Sequence, residues 1–222
     1  MLTRDLVFRG HSYKIACYET RPDHASWYSF QDEASVRDAY WNIQPGDVVL
    51  DVGASFGSYT LTALACGAAF VYSWSPQGYP GETEADTLRA SLKLNGWQDR
   101  CQVFNIGAYN RSGWLHTEYQ QLLDSEPSPP DPYVIFVMPL DDMPQLNKVD
   151  WMKLDVEGAE VEVIQGARKL ITRYRPNLLI ENHLFKRPNV VQELQAVLVG
   201  ELGYKEVVTA AYNFVSHSLY MP

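Results

Sequence analysis

Two short stretches each carry an acid–base pair. "KLDVEGAE" holds Asp155 and Glu157, and "LLIENH" holds Glu181 and His183, two residues apart in both cases. Side chains alternate along an extended strand, so residues two apart share a face and each pair can serve one side of a strand's end. Carboxylates crowded this way raise one another's proton affinity or attract a cation, and a histidine beside them changes charge near neutral pH. Two chemistries stay open. In one, His183 or Asp155 takes a proton from a bound hydroxyl while the other acids hold substrate hydroxyls. In the other, a divalent ion with oxygen ligands, Mg2+ or Mn2+, sits among them and lowers the pKa of that hydroxyl. The metal-free version is preferred, because no dense ligand motif demands an ion. Structural duties compete with both. Glu157 and Glu160 stand at a helix start, where acids favour the macrodipole, and His183 can bond to backbone in a loop. Asp155 resists that explanation: an acid ending a buried strand needs a partner, and Lys153 on the same face offers one.

A further stretch, "LDVGASFGSYTL", reads as strand, glycine turn and helix start. In an open parallel sheet, ligands bind beyond the carboxyl ends of the strands, and the loop after the first strand is the usual contact. Gly53 lets backbone approach a ligand, and Gly57 opens a helix whose first amides favour an anionic group such as a carboxylate. From Gly53 to Gly57 the spacing is G-x-x-x-G, with Asp51 two residues earlier. It is neither the dinucleotide fingerprint G-x-G-x-x-G nor a phosphate loop, which disfavours nicotinamide-dependent oxidoreduction.

Such residues need a sheet to hold them. Short apolar runs over residues 47–52, 68–74, 101–108, 149–156 and 177–183 read as buried strands. Helical patterns lie between them: "SYTLTALAC", then "TEADTLRASLKLNG" with Ala85, Leu88 and Leu92 on one face, then a single helix over residues 159–174. "PNVVQELQAVLVGEL" adds another apolar stripe, and two closing strands follow near residues 204–208 and 213–220. The alternation predicts a three-layer α/β domain around a mostly parallel sheet. Periodicity fails in "QQLLDSEPSPPDPY", which reads as a loop or edge excursion. Ahead of the sheet, "RDLVFRGHSYKIACYE" suggests a hairpin, and residues 34–42 a helix. Residues 1–45 are thus an N-terminal extension and residues 46–222 the domain. His24, Trp27, Tyr28 and Trp41 can form an aromatic cover over a site, although ordinary packing is the preferred reading.

Composition narrows the partners. The formal net charge of −9 gives no broad positive field, so tracking nucleic acid phosphates is not expected. Cys17, Cys66 and Cys101 are odd in number and widely spaced, which suits free thiols in a reducing, cytoplasmic compartment. No apolar run reaches the roughly 20 residues of a membrane span, and the N-terminus lacks a signal-peptide core.

"LDVGASFGSYTL" resembles the first motif of class I S-adenosylmethionine-dependent methyltransferases, in particular the FkbM-like family. "VDWMKLDVEGAEVEVIQGARKLITRYRPNLLIENH" resembles that family more closely, through its lysine, aspartate, "VEGAE", "GA" and "RP" followed by "LIE". "MPLDDM" is similar to the segment that precedes it. The resemblance implies a Rossmann-like seven-stranded sheet with an antiparallel last strand, and methyl transfer to a hydroxyl of a sugar or secondary metabolite. It implies cofactor contacts at Asp51, Gly53, Ala54, Ser55 and Gly57, at Ser75, and at Asn105 and Ala108, where the family meets adenine. It also makes the strands ending at Asp155 and Glu181 neighbours, so that Asp155, Glu157, Glu181 and His183 share one mouth over a small hydroxylated acceptor. One departure stands out: the family ends its second strand with a ribose-binding acid, and "YSWSPQG" has Ser75 there. Gln77, Glu82 or Glu84 can compensate. The alternative is a non-catalytic member that keeps the fold for binding or scaffolding.

Overall fold

The computed structural model describes residues 2–17, 33–76, 84–144, 146–212 and 215–222. His24, Trp27, Tyr28, Gln77 and Glu82 lie outside these. A hairpin opens the chain, with β1 (Leu2–Phe8) and β2 (His11–Cys17) antiparallel about Arg9 and Gly10, both at positive φ. Then come α1 (Ala34–Tyr40), β3 (Val48–Val52), α2 (Ser58–Ala65), β4 (Phe70–Trp74), α3 (Glu84–Asn95) and β5 (Cys101–Phe104). Four short strands follow: β6 (Gly107–Ala108), β7 (Gly113–His116), β8 (Gln121–Leu123) and β9 (Val134–Met138). The chain continues with β10 (Trp151–Leu154), α4 (Glu160–Gly166), α5 (Arg168–Tyr174), β11 (Asn177–Asn182) and α6 (Val190–Gln195). It ends with β12 (Lys205–Tyr212) and β13 (Val215–Met221).

Seven strands make one sheet in the order β12-β13-β11-β10-β3-β4-β5. Only β13 runs against the rest. Val49, Val71, Trp151, Leu179 and Leu219 face one layer, where they meet Leu61, Leu64, Leu88 and the hairpin's Tyr13 and Ile15. Leu50, Val52, Met152, Leu154 and Ile180 face the other, against Val163, Ile164, Ile171 and Leu194. Each of these fully buried aliphatic side chains contributes about 1.5–3 kcal/mol by leaving water, which is what fixes the strand register. The hairpin is tied to α3 by polar contacts as well: the Ala16 amide donates to Ser91 Oγ at 2.9 Å, and Lys14 exchanges two hydrogen bonds with Asn95. Trp41 packs in the core, the reading preferred over a cover: it is wholly buried, edge-on to Tyr59 and Trp151.

Three elements differ from their sequence patterns. The third strand splits after Phe104, and Gly107 and Ala108 leave the main sheet to pair with β9. The stretch read as a loop or edge excursion, residues 120–133, contributes β8 to a four-stranded sheet of order β6-β9-β7-β8, pinned by the cross-strand pair Trp114 and Phe136 at 5.4 Å. Its strands are two to five residues long, too short for alternation to reveal them, and the prolines of the loop between β8 and β9 hide their continuity. The helix over residues 159–174 is two helices. Gly166 brings its backbone against Tyr109, where an added Cβ would sit 2.0 Å from the carbonyl oxygen. The second helix can start afresh because Asp141 accepts hydrogen bonds from the Lys169 and Leu170 amides at 3.0 and 2.8 Å.

Candidate active site

Register builds the site. Ser73, Asp51 and Lys153 lie side by side on β4, β3 and β10, and Glu181 pairs directly with His217 across β11 and β13. Carried one residue past Leu154, the same register sets Asp155 between Gly53 and Glu181, and the Asp155 amide donates to the Val52 carbonyl at 2.9 Å. A row of polar side chains therefore crosses an otherwise apolar sheet face just below its carboxyl edge.

Lys153 is the centre of that row. It is 1% exposed, with Nζ 3.5 Å from Asp155 Oδ2, 3.8 Å from Glu181 Oε2, 4.0 Å from Glu33 Oε2 and 4.6 Å from the Tyr59 ring centroid. Burial opposes its charge, but the carboxylates of Asp155, Glu33 and Glu181 outweigh that, so the ammonium is held above its ordinary range. Burial likewise raises the Asp155 carboxyl, to about 7, against the pull of Lys153 and with the push of Glu181 and Glu33. For Glu33 burial loses to Lys153, His217 and Tyr59, and its carboxyl is held low.

His183, 2% exposed, is clamped from behind. Its Nδ1 lies 2.6 Å from Oε1 of Glu160, a wholly buried carboxylate that also accepts the Gly158 amide at 3.0 Å. Its Nε2 faces Asp155 Oδ1 at 3.6 Å, Glu157 Oε1 at 3.7 Å and Glu181 Oε1 at 3.8 Å. Burial disfavours the imidazolium, yet the Glu160 hydrogen bond and the Asp155 and Glu157 charges prevail and raise the histidine's pKa. His217 is raised in the same way, by Glu181 and Glu33 against burial.

These groups edge a cavity of 560 Å3. Glu33, Asp155, Glu157 and Lys186 form its polar end, and Trp74, Leu115, Ile135 and Val137 an apolar wall. Glu181 and His183 stand buried behind Asp155 and Glu157. Of the residues proposed for cofactor contact, Gly53, Ser55 and Ala108 line the cavity. Ala54, Gly57, Asp51 and Ser75 are buried and off its wall, and Asn105 is exposed outside it. The turn's close approach is to protein: a Cβ on Gly53 would sit 1.6 Å from the Asp155 carbonyl oxygen. The amides of Gly53 and Ala54 both donate to the Trp74 carbonyl, at 3.0 and 2.7 Å, and Ser75 Oγ donates to the Ser55 carbonyl at 3.1 Å. Glu84, at the start of α3, does reach the cavity wall.

Asp51 accepts the Thr60 hydroxyl at 2.6 Å, which also lies 2.7 Å from Ser73 Oγ. Burial pushes its carboxyl from 3.8 up to about 6, against Thr60 and Lys153. An acid raised on folding keeps a proton that the unfolded chain has released, so stability falls as pH rises from about 4 to about 6, by about 3 kcal/mol. Asp51→Asn is expected to lessen the fall in stability between about pH 4 and about pH 7 by that amount. Urea midpoints at about pH 4 and about pH 7 compare the two proteins, and equal slopes in both would exclude the assignment.

Sequence reasoning left His217 without a role and gave Glu33 and Tyr59 no place. His217 had one legible signal, its place on a closing strand that alternates toward the sheet face. Glu33 had none, since it reaches the site only through the placement of α1.

The strand order, the single antiparallel strand and a cavity over the carboxyl ends of β3, β4 and β10 define the Rossmann-like class I methyltransferase fold. A family model, the methyltransferase FkbM domain, matches residues 51–206, and the chain belongs to that family. No curated protein matches it. An FkbM methyltransferase structure from Methylobacillus flagellatus KT is similar at 19% identity and a TM-score of 0.64, covering 83% of this chain. This chain spans 46% of that one, under half its length. A precorrin-6y C5,15-methyltransferase from Geobacter metallireducens GS-15 is similar at 13% identity and a TM-score of 0.51, covering 94% of this chain and 95% of its own. A putative O-methyltransferase from Klebsiella pneumoniae is similar at 11% identity and a TM-score of 0.52, with coverages of 90% and 81%.

Proposed function

We propose that the protein transfers a methyl group from S-adenosylmethionine to a hydroxyl oxygen of a small molecule, a sugar or secondary metabolite. The observation that carries this reading is the joining of two unlike ends in one cavity: the Gly53 to Ser55 turn with its apolar wall, and the acid–base cluster around Asp155. The residues fit the cofactor. Trp74, Leu115 and Val137 offer an apolar surface for adenine, the glycine turn leaves main chain bare, and the carboxylates suit a sulfonium cation. The volume falls in the range of about 300–1,000 Å3 usual for small-molecule sites. When bound, the cofactor supplies an electrophilic methyl group.

The chain's own work is alignment and proton handling. Asp155 and Glu157 receive the acceptor hydroxyl at the polar end. His183, oriented by Glu160, and Asp155, poised by Lys153, form the cluster that receives its proton. The acceptor is a small molecule rather than a nucleic acid, because Glu33, Glu84, Glu118 and Glu157 on the cavity wall repel phosphates. We place the protein in the cytoplasm, where its three free, buried cysteines keep their reduced state. Among the described residues, no helix is long and apolar enough to cross a membrane.

One observation favours a second reading, a non-catalytic binding protein: the Ser75 hydroxyl is spent on the Ser55 carbonyl, so the strand's end offers the cofactor no acid. Labelled methyl donor and a panel of hydroxylated acceptors separate the two. Label is expected on an acceptor oxygen, by mass spectrometry. Label on nitrogen or carbon alone, or none from a protein that binds the donor, would contradict the first reading.

A further inference from the structure

We propose that Asp155, Glu157 and His183 bind one divalent cation at the polar end of the cavity. The ion's use in catalysis rests on the methyltransferase reading; its binding does not. The first observation is the state of His183. Glu160 is an acceptor already engaged by the Gly158 amide, so in the neutral imidazole, the form that binds a metal, the proton belongs on Nδ1 and the lone pair on Nε2. That nitrogen is on a side chain 3% exposed, and among the described residues it makes no hydrogen bond. It points instead at oxygens of Asp155, Glu157 and Glu181, 3.6 to 3.8 Å away. A lone pair facing three carboxylates repels them unless something positive lies between.

Spacing agrees with an ion there. The gaps are too long for hydrogen bonds. Two ligands each about 2.0–2.2 Å from one ion stand at most about 4.4 Å apart, so the observed separations can be bridged. One ligand atom from each of Asp155, Glu157 and His183 lies within 4.8 Å of the others, and Glu157, 65% exposed and ion-paired with Lys186 at 3.2 Å, would exchange that partner for the ion. Charge agrees too. Asp155, Glu157, Glu160, Glu181 and Glu33 gather round Lys153 and Lys186, so carboxyl groups outnumber lysines five to two in the cluster.

The adjoining trio Glu33, Glu181 and His217 has ligand types as well. There the Lys153 ammonium, 3.8 and 4.0 Å from the two carboxylates, already stands in the cation's place. One ion is expected, not two. Two carboxylates and one imidazole suit Mn2+, with Mg2+ a weaker occupant. The ion would orient an acceptor diol and acidify one hydroxyl, whose proton would go to the Asp155 oxygen that is not bound to the ion.

Mn2+ alone is the probe, followed by electron paramagnetic resonance and calorimetry at mildly alkaline pH, without cofactor or acceptor. Wild type is expected to take up one ion saturably. Glu157→Gln and His183→Ala should lose binding at least 10-fold (about one ligand's worth), and Glu160→Gln, which keeps every ligand, about 10–100-fold. Melting curves report whether each variant is folded. A folded wild type that binds no Mn2+ at millimolar concentration would overturn the proposal, leaving a proton as the occupant of Nε2. So would unchanged affinity in folded Glu157→Gln and His183→Ala. Mn2+ uptake by a protein that fails to bind S-adenosylhomocysteine would support the ion site and strike at the methyltransferase reading alone.

Discussion

Asp155→Asn is expected to lower turnover by about 10^2–10^4-fold, the span of a lost proton-transfer group, with cofactor binding and melting temperature near wild type. Asparagine keeps the shape of the side chain but can neither accept the acceptor's proton nor carry the charge that a cation would need, so both versions of the chemistry predict the same loss. The fold should survive. Asp155 is held by its main chain, whose amide donates a hydrogen bond to the Val52 carbonyl, and Lys153 keeps Glu33 and Glu181 as counter-charges. Removing one partner of a buried pair is severe when the other charge is stranded, and here it is not. Steady-state kinetics with calorimetry on the same preparation give the test. Wild-type turnover would take Asp155 out of the mechanism.

Gly53→Ala should be the most damaging single change in the turn. Its φ of +87 is strained for any side chain, and the new Cβ would lie 1.6 Å from a main-chain oxygen that cannot rotate away. Strain and overpacking together predict a loss of about 3 kcal/mol or more, and displacement of Asp155 with it. Two controls grade the effect. Gly57 has φ +90, but its Cβ would meet the end of the Leu88 side chain at 2.3 Å, which can move. Gly46, at φ +91, has nothing within 4 Å, so Gly46→Ala should cost only about 1 kcal/mol. Urea midpoints should therefore fall in the order Gly46, Gly57, Gly53. A Gly53→Ala protein as stable as Gly46→Ala would show that the β3 and β10 loops do not touch as described.

The main sheet was legible because its strands are buried on both faces and bounded by turn residues, a pattern that survives without knowledge of neighbours. Asp155, Glu157, Glu181 and His183 were legible as pairs for the same reason, since the two-residue period at a strand's end is local. What joins them is not local. His217 meets Glu181 only through the antiparallel pairing of β11 with β13, and Glu33 arrives from the residue capping α1, more than a hundred residues upstream of Lys153. The split of the 159–174 helix depended on Gly166 meeting Tyr109, a contact no periodicity encodes. Gly53 illustrates a subtler limit: its type signalled a close approach, but only the tertiary structure identifies the neighbour as Asp155.

The central claim is that this cavity holds S-adenosylmethionine although Ser75 stands where an acid is expected and its hydroxyl is turned inward. Calorimetric titration with S-adenosylhomocysteine tests it without any knowledge of the acceptor. Saturable binding of one equivalent, with a matching rise in melting temperature, is the predicted result. No heat and no thermal stabilisation at millimolar ligand would contradict it, and would leave the fold serving as a binding scaffold.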